Sequence, residues 1–354
     1  MKKSKMLHRI AAALLAGTMM IAMGTTAFAD DVPDGNVTGD VYFTKTLDMS
    51  DAPGASVPDV TFSYEIKSGE TVPASETTPE ILAGVGTPVV EDVDYTYTDT
   101  ANSDKKVEKR VNVDFSKVTF DKPGIYRYVI TEQDSENADI TNDDNPTRYL
   151  DVYVENGTTE NTYVINHSVL LSAPIIPNNS GNYESKSNGY TNKYTTYQLS
   201  LDKVVEGTMG DKGKEFEFEI KFTGPANASF TFGGKPVQLA ADGTGSTTIK
   251  LADKSPAAVI TGIPSTVKYT VKEIINVEEG YTTSYKINDG TTIDGTTTSE
   301  HTMGKANNAV VCTNTKNAVT PTGIMMNVAP YVLMVAVAAV LAVVFLRRKN
   351  NFEN

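Results

Sequence analysis

Residues 216–222 read Phe-Glu-Phe-Glu-Ile-Lys-Phe, so every second side chain is apolar. A period of two places the apolar side chains on one face of a pleated strand and the charged ones on the other. The stretch therefore predicts a β-strand with one face in a core and the other in water. The same alternation recurs in residues 60–66 and 150–154, with Gly, Pro, Asn and Asp between such runs.

No stretch of the chain between its two ends has the apolar period of a helix over several turns. Thr, Val and Tyr, which favour pleated surfaces, are abundant. Short alternating strands separated by turn residues are typical of β-sandwiches. We therefore expect an all-β protein.

Segments of the first half resemble segments of the second half in the same order. The pairs are Tyr42–Leu47 with Leu199–Val204, Ile125–Glu132 with Val267–Glu273, and Gly189–Tyr194 with Val311–Lys316. Each pair shares one polar residue: first a lysine, then a glutamate, then an asparagine. The repeat predicts two tandem domains, at residues 39–195 and 196–316, of which the first carries the longer loops.

The strand alternation places all of these shared polar residues on apolar faces. They are Lys45, Glu132 and Asn192 in the first domain and Lys203, Glu273 and Asn314 in the second. Lys45, for example, is in phase with Phe43 and Leu47. Because an isolated buried charge is very costly, such groups must pair, become neutral or react.

Burial favours a specific reaction between these groups. It lowers the pKa of a lysine and raises that of a glutamate, which favours a neutral amine beside a protonated acid. A neutral amine can attack an asparagine carboxamide and expel ammonia, leaving a Lys–Asn isopeptide bond. Folding would supply the proximity, at effective molarities on the order of 10⁵–10⁸ M. The alternative is a buried Lys–Glu ion pair beside a hydrogen-bonded asparagine.

The repeated order of lysine, glutamate and asparagine resembles the streptococcal-type major pilin family of Gram-positive bacteria, over most of the chain. The resemblance implies two immunoglobulin-like (CnaB-type) β-sandwich domains, each crosslinked between its first and last strands. It assigns the crosslinks Lys45–Asn192 and Lys203–Asn314 and the catalytic acids Glu132 and Glu273, with Asn182 and Asn188 as competitors of Asn192.

The N-terminus has the three parts of a secretory signal. A basic start precedes an apolar run from Ile10 to Met23, and the small-residue site Ala27-Phe28-Ala29 follows. This order is typical of a signal peptide that is removed on export. We expect residues 1–29 to be cleaved and Asp30 to begin the mature chain.

The C-terminus resembles a sortase sorting signal. Residues 319–323 read Val-Thr-Pro-Thr-Gly, an apolar segment follows at 324–346, and a basic tail ends the chain at 347–354. The segment is long enough to cross a hydrocarbon core of about 30 Å, and the basic tail favours the cytoplasmic side. A sortase would cleave between Thr322 and Gly323. The alternative is an ordinary single-pass anchor with a chance Pro-Thr-Gly.

The proline of this motif stands one place later than in the usual Leu-Pro-x-Thr-Gly signal, so the sortase class stays open. In the resembling family, a lysine of the next subunit attacks the acyl-enzyme and extends a polymer. Lys186 lies among small polar residues shortly before the asparagine strand and is the candidate, with Lys193 as its rival. The implied partners are a sortase, identical pilin subunits, minor pilins and peptidoglycan, with transient membrane anchoring before sorting.

Composition excludes several other classes of function. The chain has 44 acidic and 31 basic residues and a net charge of -13, which argues against nucleic acid as a partner. Its single cysteine, Cys312, cannot form an intramolecular disulfide, and we expect it to pack in the core. The three histidines are scattered, and no metal or cofactor motif is recognisable. The acidic run 134–145 lacks the glycine and glutamate of a calcium loop and predicts a polar surface loop.

These observations predict the structural backbone subunit of a sortase-assembled pilus on the surface of a Gram-positive bacterium. The chain would carry no metal or cofactor, and it would be no enzyme beyond one self-crosslinking event per domain. The alternative is a wall-anchored adhesin or minor pilin that binds a host or bacterial ligand.

Overall fold

In the structure, a computed structural model, the described secondary structure consists of β-strands and one C-terminal helix. The structure describes residues 39–75, 79–174, 185–275, 279–318 and 322–350, the last range with side chains only at 330–345. The strands form two successive sandwiches, and the prediction of an all-β fold is confirmed. The signal peptide predicted at 1–29 lies outside the described residues.

The first sandwich packs two main sheets face to face. Its strands are β1 (Tyr42–Asp51), β2 (Val60–Phe62), β3 (Tyr64–Ser68), β4 (Ile81–Ala83), β5 (Val89–Val90), β6 (Val93–Tyr95), β7 (Lys106–Asp114), β8 (Gly124–Glu132), β9 (Ile140–Thr141), β10 (Thr147–Asn156), β11 (Tyr163–Leu171) and β12 (Gly189–Thr195). One sheet has the order β5-β7-β1-β12-β9 and the other β11-β10-β8-β3, with β4 beside β8. Strands β2 and β6 form a separate small pair.

The second sandwich follows after a single intervening residue, Thr196. Its strands are β13 (Tyr197–Glu206), β14 (Phe216–Thr223), β15 (Ser229–Phe232), β16 (Lys235–Gln238), β17 (Thr244–Leu251), β18 (Ala258–Ile263), β19 (Lys268–Ile274), β20 (Thr282–Ile287), β21 (Ile293–Asp294), β22 (His301–Thr302) and β23 (Asn308–Thr315). One sheet has the order β16-β15-β18-β13-β23-β20-β21, and it packs against β17-β14-β19-β22.

Alternating burial along the strands produces the two cores. In β14 the side chains of Phe216, Phe218, Ile220 and Phe222 are buried, as their alternation predicts. Each fully buried side chain of this size contributes roughly 1.5–3 kcal/mol through removal of apolar surface from water. The run 60–66 departs from the single predicted strand, because Ser63 interrupts it and its carbonyl accepts a hydrogen bond from the backbone N–H of Gln133 at 2.9 Å.

The first and last strands of each sandwich are parallel neighbours. In the first sandwich β1 pairs with β12, with Leu47 opposite Asn192. In the second, β13 pairs with β23, with Val205 opposite Asn314. Each asparagine is therefore opposite the residue two positions beyond the repeat lysine. Because strand side chains alternate, lysine and asparagine point to the same face and lie side by side.

The two sandwiches are joined by hydrogen bonds as well as by the chain. The backbone N–H of Ser56 donates to the carbonyl of Ser229 at 2.8 Å. The backbone N–H of Ser265 donates to Oδ2 of Asp139 at 2.8 Å. The hydroxyl of Thr231 donates to the carbonyl of Gly54 at 3.0 Å. These contacts restrain bending between the sandwiches.

A helix, α1 (Thr322–Asn350), follows the second sandwich. Its large apolar side chains from Tyr331 to Phe345 are exposed. In the described part of the chain, no helix combines the length and apolarity needed to cross a membrane. Residues 319–321 of the predicted sorting signal lie outside the described residues, and the membrane segment at 324–346 stays a prediction.

Gly189 allows the close pairing of β12 with β1. Its φ is +142°, and a Cβ there would overlap the carbonyl oxygen of Thr44. We expect Gly189→Ala to cost roughly 1–3 kcal/mol or more, because it adds backbone strain and a clash with a paired strand. Thermal unfolding of the variant should show a lower midpoint.

Gly213→Ala is the matched control, since the nearest atom to its added Cβ is Oδ1 of Asp211 at an ordinary 3.5 Å. Its effect should stay within about 0.5 kcal/mol. Equal midpoints for the two variants would contradict the steric argument.

Candidate functional site

The three repeat residues of the first domain meet inside the sandwich. Lys45 and Asn192 come from the paired strands β1 and β12, and Glu132 comes from the end of β8 in the facing sheet. Their exposed fractions are 0%, 0% and 4%. The Lys45 Nζ atom lies 2.6 Å from Oε1 of Glu132. The burial predicted from strand phase is confirmed for all three.

The surroundings of this pair shift both groups towards their neutral forms. Burial lowers the pKa of Lys45 to about 8, although the Glu132 carboxylate opposes the shift. Burial also raises the pKa of Glu132, against the opposing effects of Lys45 and Asn192. The Phe62 ring centroid lies 4.1 Å from Nζ, a contact that favours the charged amine and therefore opposes the effect of burial. Burial thus favours the state in which a neutral amine lies beside a neutral acid.

The Asn192 carboxamide is held by residues of the acidic run 134–145. Its Oδ1 accepts a hydrogen bond from the backbone N–H of Asp143 at 3.0 Å, and its Nδ2 donates to Oδ1 of Asn142 at 3.3 Å. Half of the run is exposed, as predicted for a polar surface loop, but Asn142 and Asp143 are half-buried and contact the site. Strand β9 pairs with β12 there and brings the loop to the site, a tertiary contact that local composition cannot indicate.

The second cluster has the same arrangement with a closer set of contacts. Lys203 Nζ lies 3.1 Å from Oε1 of Glu273, and both side chains are fully buried. The same Oε1 accepts a hydrogen bond from Nδ2 of Asn314 at 2.7 Å. One carboxyl oxygen thus contacts both the lysine amine and the amide nitrogen of the asparagine.

Two further side chains complete the second cluster. The Thr283 hydroxyl donates to Oε2 of Glu273 at 2.9 Å. Cys312 Sγ lies 3.4 Å from Lys203 Nζ and 3.9 Å from Oδ1 of Asn314. Cys312 is buried as predicted, but it is also a neighbour of the cluster. The sequence could have indicated the position of Cys312, because Cys312 is in phase with Asn314 on β23. It could not have indicated Thr283, because this residue lies on a different strand, β20.

These contacts fit an amine-for-amide exchange. The carboxyl group can take a proton from the attacking amine and deliver one to the departing amide nitrogen. One C–N bond forms, one C–N bond breaks, and ammonia leaves. Neither an oxidant nor an external acid is required.

The rival asparagines and the residues predicted to act in polymerisation are not part of the two buried clusters. Asn188 is exposed, and Asn182 lies outside the described residues. Lys186 is exposed and forms an isolated bridge with Leu171 at the end of β11. Lys193 pairs with Asp51 at 2.6 Å. Residues 322 and 323 of the predicted cleavage site begin α1, and their side chains are not described.

The chain is similar to known domain families in both halves. Residues 41–195 match the family described as "Spy0128-like isopeptide containing domain". Residues 197–316 match the family described as "Domain of unknown function (DUF7601)". A protein of Streptococcus pyogenes serotype M1 named "Pilin" is 29% identical, and the match covers 95% of this chain and 98% of that protein.

Solved structures with the same fold come from the same bacterial species. The crystal structure of the major pilin from Streptococcus pyogenes has a TM-score of 0.60 and 26% identity, and the match covers 80% of this chain and all of that one. The structure of the major pilin T3.2, also from Streptococcus pyogenes, has a TM-score of 0.57 and 22% identity. This match covers 78% of this chain and 98% of the T3.2 chain.

The environment of Cys312 predicts an unreactive thiol. Burial raises its pKa to about 12, and the side chain is fully inaccessible. Because the thiolate is the reactive form, we expect no labelling of the native protein by a thiol reagent at pH 8 and complete labelling in denaturant. Thr292→Cys, which places a thiol at an exposed position, is the control and should be labelled at once. Rapid labelling of native Cys312 would contradict the buried placement.

Proposed function

We propose that this chain, which belongs to the streptococcal-type major pilin family, is the repeating backbone subunit of a covalent pilus, each of whose domains crosslinks itself. The similarity to a pilin extends over nearly the full length of both chains, and the chain is a structural pilus subunit. The observation that carries the crosslinking proposal is the buried cluster in each sandwich, in which a lysine of the first strand and an asparagine of the last strand meet a glutamate of the facing sheet.

In the proposed reaction, folding brings a neutral lysine amine against the asparagine carboxamide. Nζ attacks Cγ of the asparagine while the adjacent glutamic acid transfers protons between the attacking and departing nitrogens. The expelled amide nitrogen leaves as ammonia. Preorganisation of the three groups supplies the rate, since proximity alone corresponds to effective molarities on the order of 10⁵–10⁸ M. Each domain reacts once, so the protein is not a turnover enzyme.

A bond between first and last strands suits a subunit under tension. Force applied at the ends of a domain enters at one of these strands and leaves at the other, so the crosslink carries it past the sandwich interior. A covalent link that closes a loop of roughly 100 residues also removes about 4.7 kcal/mol of unfolded-chain entropy on the disulfide model. With a single cysteine in the chain, this stabilisation replaces intramolecular disulfides.

For assembly, we propose that a sortase cleaves after Thr322 and that Lys186 of the next subunit attacks the resulting acyl-enzyme. Lys186 supports this role because its side chain is exposed. Lys193 is less suited, because an ion pair with Asp51 engages its amine. The polymer would carry minor pilins, end on peptidoglycan and lie on the surface of a Gram-positive cell.

The crosslinks predict a mass deficit in the protein comprising residues 30–322. Its intact mass should be lower than the sequence mass by two molecules of ammonia, because each isopeptide bond releases one. Lys45→Ala and Lys203→Ala should each restore one of these losses, and the double variant should restore both.

Lys67→Ala, which removes an exposed lysine, is the control and should leave both losses unchanged. A wild-type protein at its full sequence mass would refute the crosslinks and leave two buried ion pairs. A single loss would reopen the assignment in one domain.

Polymerisation in cells that carry the matching sortase tests the intersubunit lysine. We expect Lys186→Arg to abolish the ladder of covalent polymers on a denaturing gel, because a guanidinium keeps the charge but is not a nucleophile near neutral pH. Lys193→Arg is the matched control and should leave the ladder intact. If Lys186→Arg keeps the ladder and Lys193→Arg abolishes it, the lysine that links the subunits is Lys193.

A further inference from the structure

The amide oxygen of Asn192 has a specific hydrogen-bond donor. The backbone N–H of Asp143 points at Oδ1 from 3.0 Å. When an amine attacks a carboxamide, negative charge develops on this oxygen. A fixed donor at that position stabilises the developing charge much more than it stabilises the starting amide.

The Asp143 side chain fixes the position of this donor. Its carboxylate accepts hydrogen bonds from the backbone N–H of Thr191 at 2.8 Å and from Nη2 of Arg148 at 3.0 Å and 3.2 Å. Thr191 directly precedes Asn192, so this hydrogen bond holds the Asp143 carboxylate against the strand that carries the reacting amide.

Arg148 extends the same network. Its Nε donates to Oγ of Ser187 at 2.9 Å and to the carbonyl of Gly189 at 3.0 Å, and its Nη1 donates to the carbonyl of Asn145. The guanidinium therefore holds the loop before β10 against the start of β12. Arg148 is only 7% exposed, which limits competition from water for these bonds.

We propose that the backbone N–H of Asp143 is the oxyanion donor for the Lys45–Asn192 crosslink and that Arg148 is the positioning residue that holds it there. The inference rests on the proposed self-crosslinking and adds the group that stabilises its intermediate. As Nζ of Lys45 bonds to Cγ of Asn192, the carbonyl electron pair moves onto Oδ1, and the Asp143 N–H stabilises the resulting negative charge by its hydrogen bond. When the pair returns, the C–N bond to Nδ2 breaks, and Nδ2 leaves as ammonia with the proton that Glu132 transfers from Nζ. The Asp143 N–H keeps its proton throughout.

The second domain lacks this arrangement among its described contacts. There the polar group near the asparagine oxygen is Cys312 Sγ, 3.9 Å from Oδ1 of Asn314, and a thiol is a weak donor. The second crosslink therefore serves as an internal control in the same molecule. A variant of the donor network should slow the first reaction and leave the second unchanged.

The charges around Lys45 add a pH profile to the rate measurement. Glu132, Asp143 and Arg148 act on its amine, and the neighbouring Tyr64 and Tyr190 stay neutral because burial raises their pKa. The Asp143 charge raises the pKa of Lys45, and the Arg148 charge lowers it. Loss of the Asp143 charge should therefore lower the pKa of Lys45, and loss of the Arg148 charge should raise it.

The reaction requires one proton shared between Lys45 and Glu132, as in other coupled pairs. The rate should therefore fall as pH rises through the pKa of Lys45, about 8. Asp143→Asn should move this fall to lower pH, and Arg148→Met should move it to higher pH.

The experiment uses the full chain made by cell-free synthesis. After a short labelling pulse, samples are quenched over time and digested, and mass spectrometry quantifies the two crosslinked peptides separately. The variants are Asp143→Asn and Arg148→Met. Arg127→Met is the matched control, because it breaks another buried ion pair of the same sandwich, with Asp151 at 2.6 Å.

We expect both donor-network variants to form the first crosslink about tenfold to a hundredfold more slowly, yet to the full final yield, because a displaced oxyanion donor slows the step without preventing folding. The second crosslink should keep its wild-type rate, and the two pH profiles should shift in opposite directions. Arg127→Met should form the first crosslink at the wild-type rate.

Three results would overturn the inference. They are wild-type rates in both donor-network variants, a reduced final yield reached at the wild-type rate, and an equal slowing in Arg127→Met. The first two would assign a purely structural role to Arg148 and Asp143. Absence of the first crosslink from the wild-type chain would instead refute the proposed crosslinking itself, so the two failures are distinguishable.

Discussion

The parallel pairing of the first and last strands is the constraint on which the rest of each domain depends. It places the asparagine two residues out of register with the lysine, so both side chains lie on the same face at adjacent positions. The facing sheet of the sandwich then provides the glutamate from the opposite side. A shift of one residue in this register would turn the asparagine out of the core and separate the three groups.

Burial gives these groups their chemical character. A lysine and a glutamate in water would form a weak, screened ion pair of little value to stability. In the first sandwich, burial dominates over mutual attraction, and the pKa values of Lys45 and Glu132 move towards each other. The hydrophobic core thus stabilises the fold and also brings the amine and the acid close to the protonation states that the proposed bond formation requires.

The two domains share this principle but differ around the asparagine. In the second, one oxygen of Glu273 contacts both the lysine amine and the amide nitrogen of Asn314, and Cys312 lies beside the lysine. In the first, a loop folds over the site and directs the Asp143 N–H at the amide oxygen. The longer loops of the first domain therefore do more than connect strands. If both domains crosslink as proposed, the same reaction takes place in two different environments.

The sequence by itself determined the strand character and the burial of the six polar residues, because both follow from a local period of two, and it showed the tandem repeat through similar segments in the same order. It could not determine the register of strands far apart in the chain, which decides that Asn192 and not the exposed Asn188 faces Lys45. Nor could it show that Asp143 reaches the site, because that contact depends on β9 pairing with β12. Local alternation fixes which face a residue occupies, whereas only long-range packing decides which residues meet on that face.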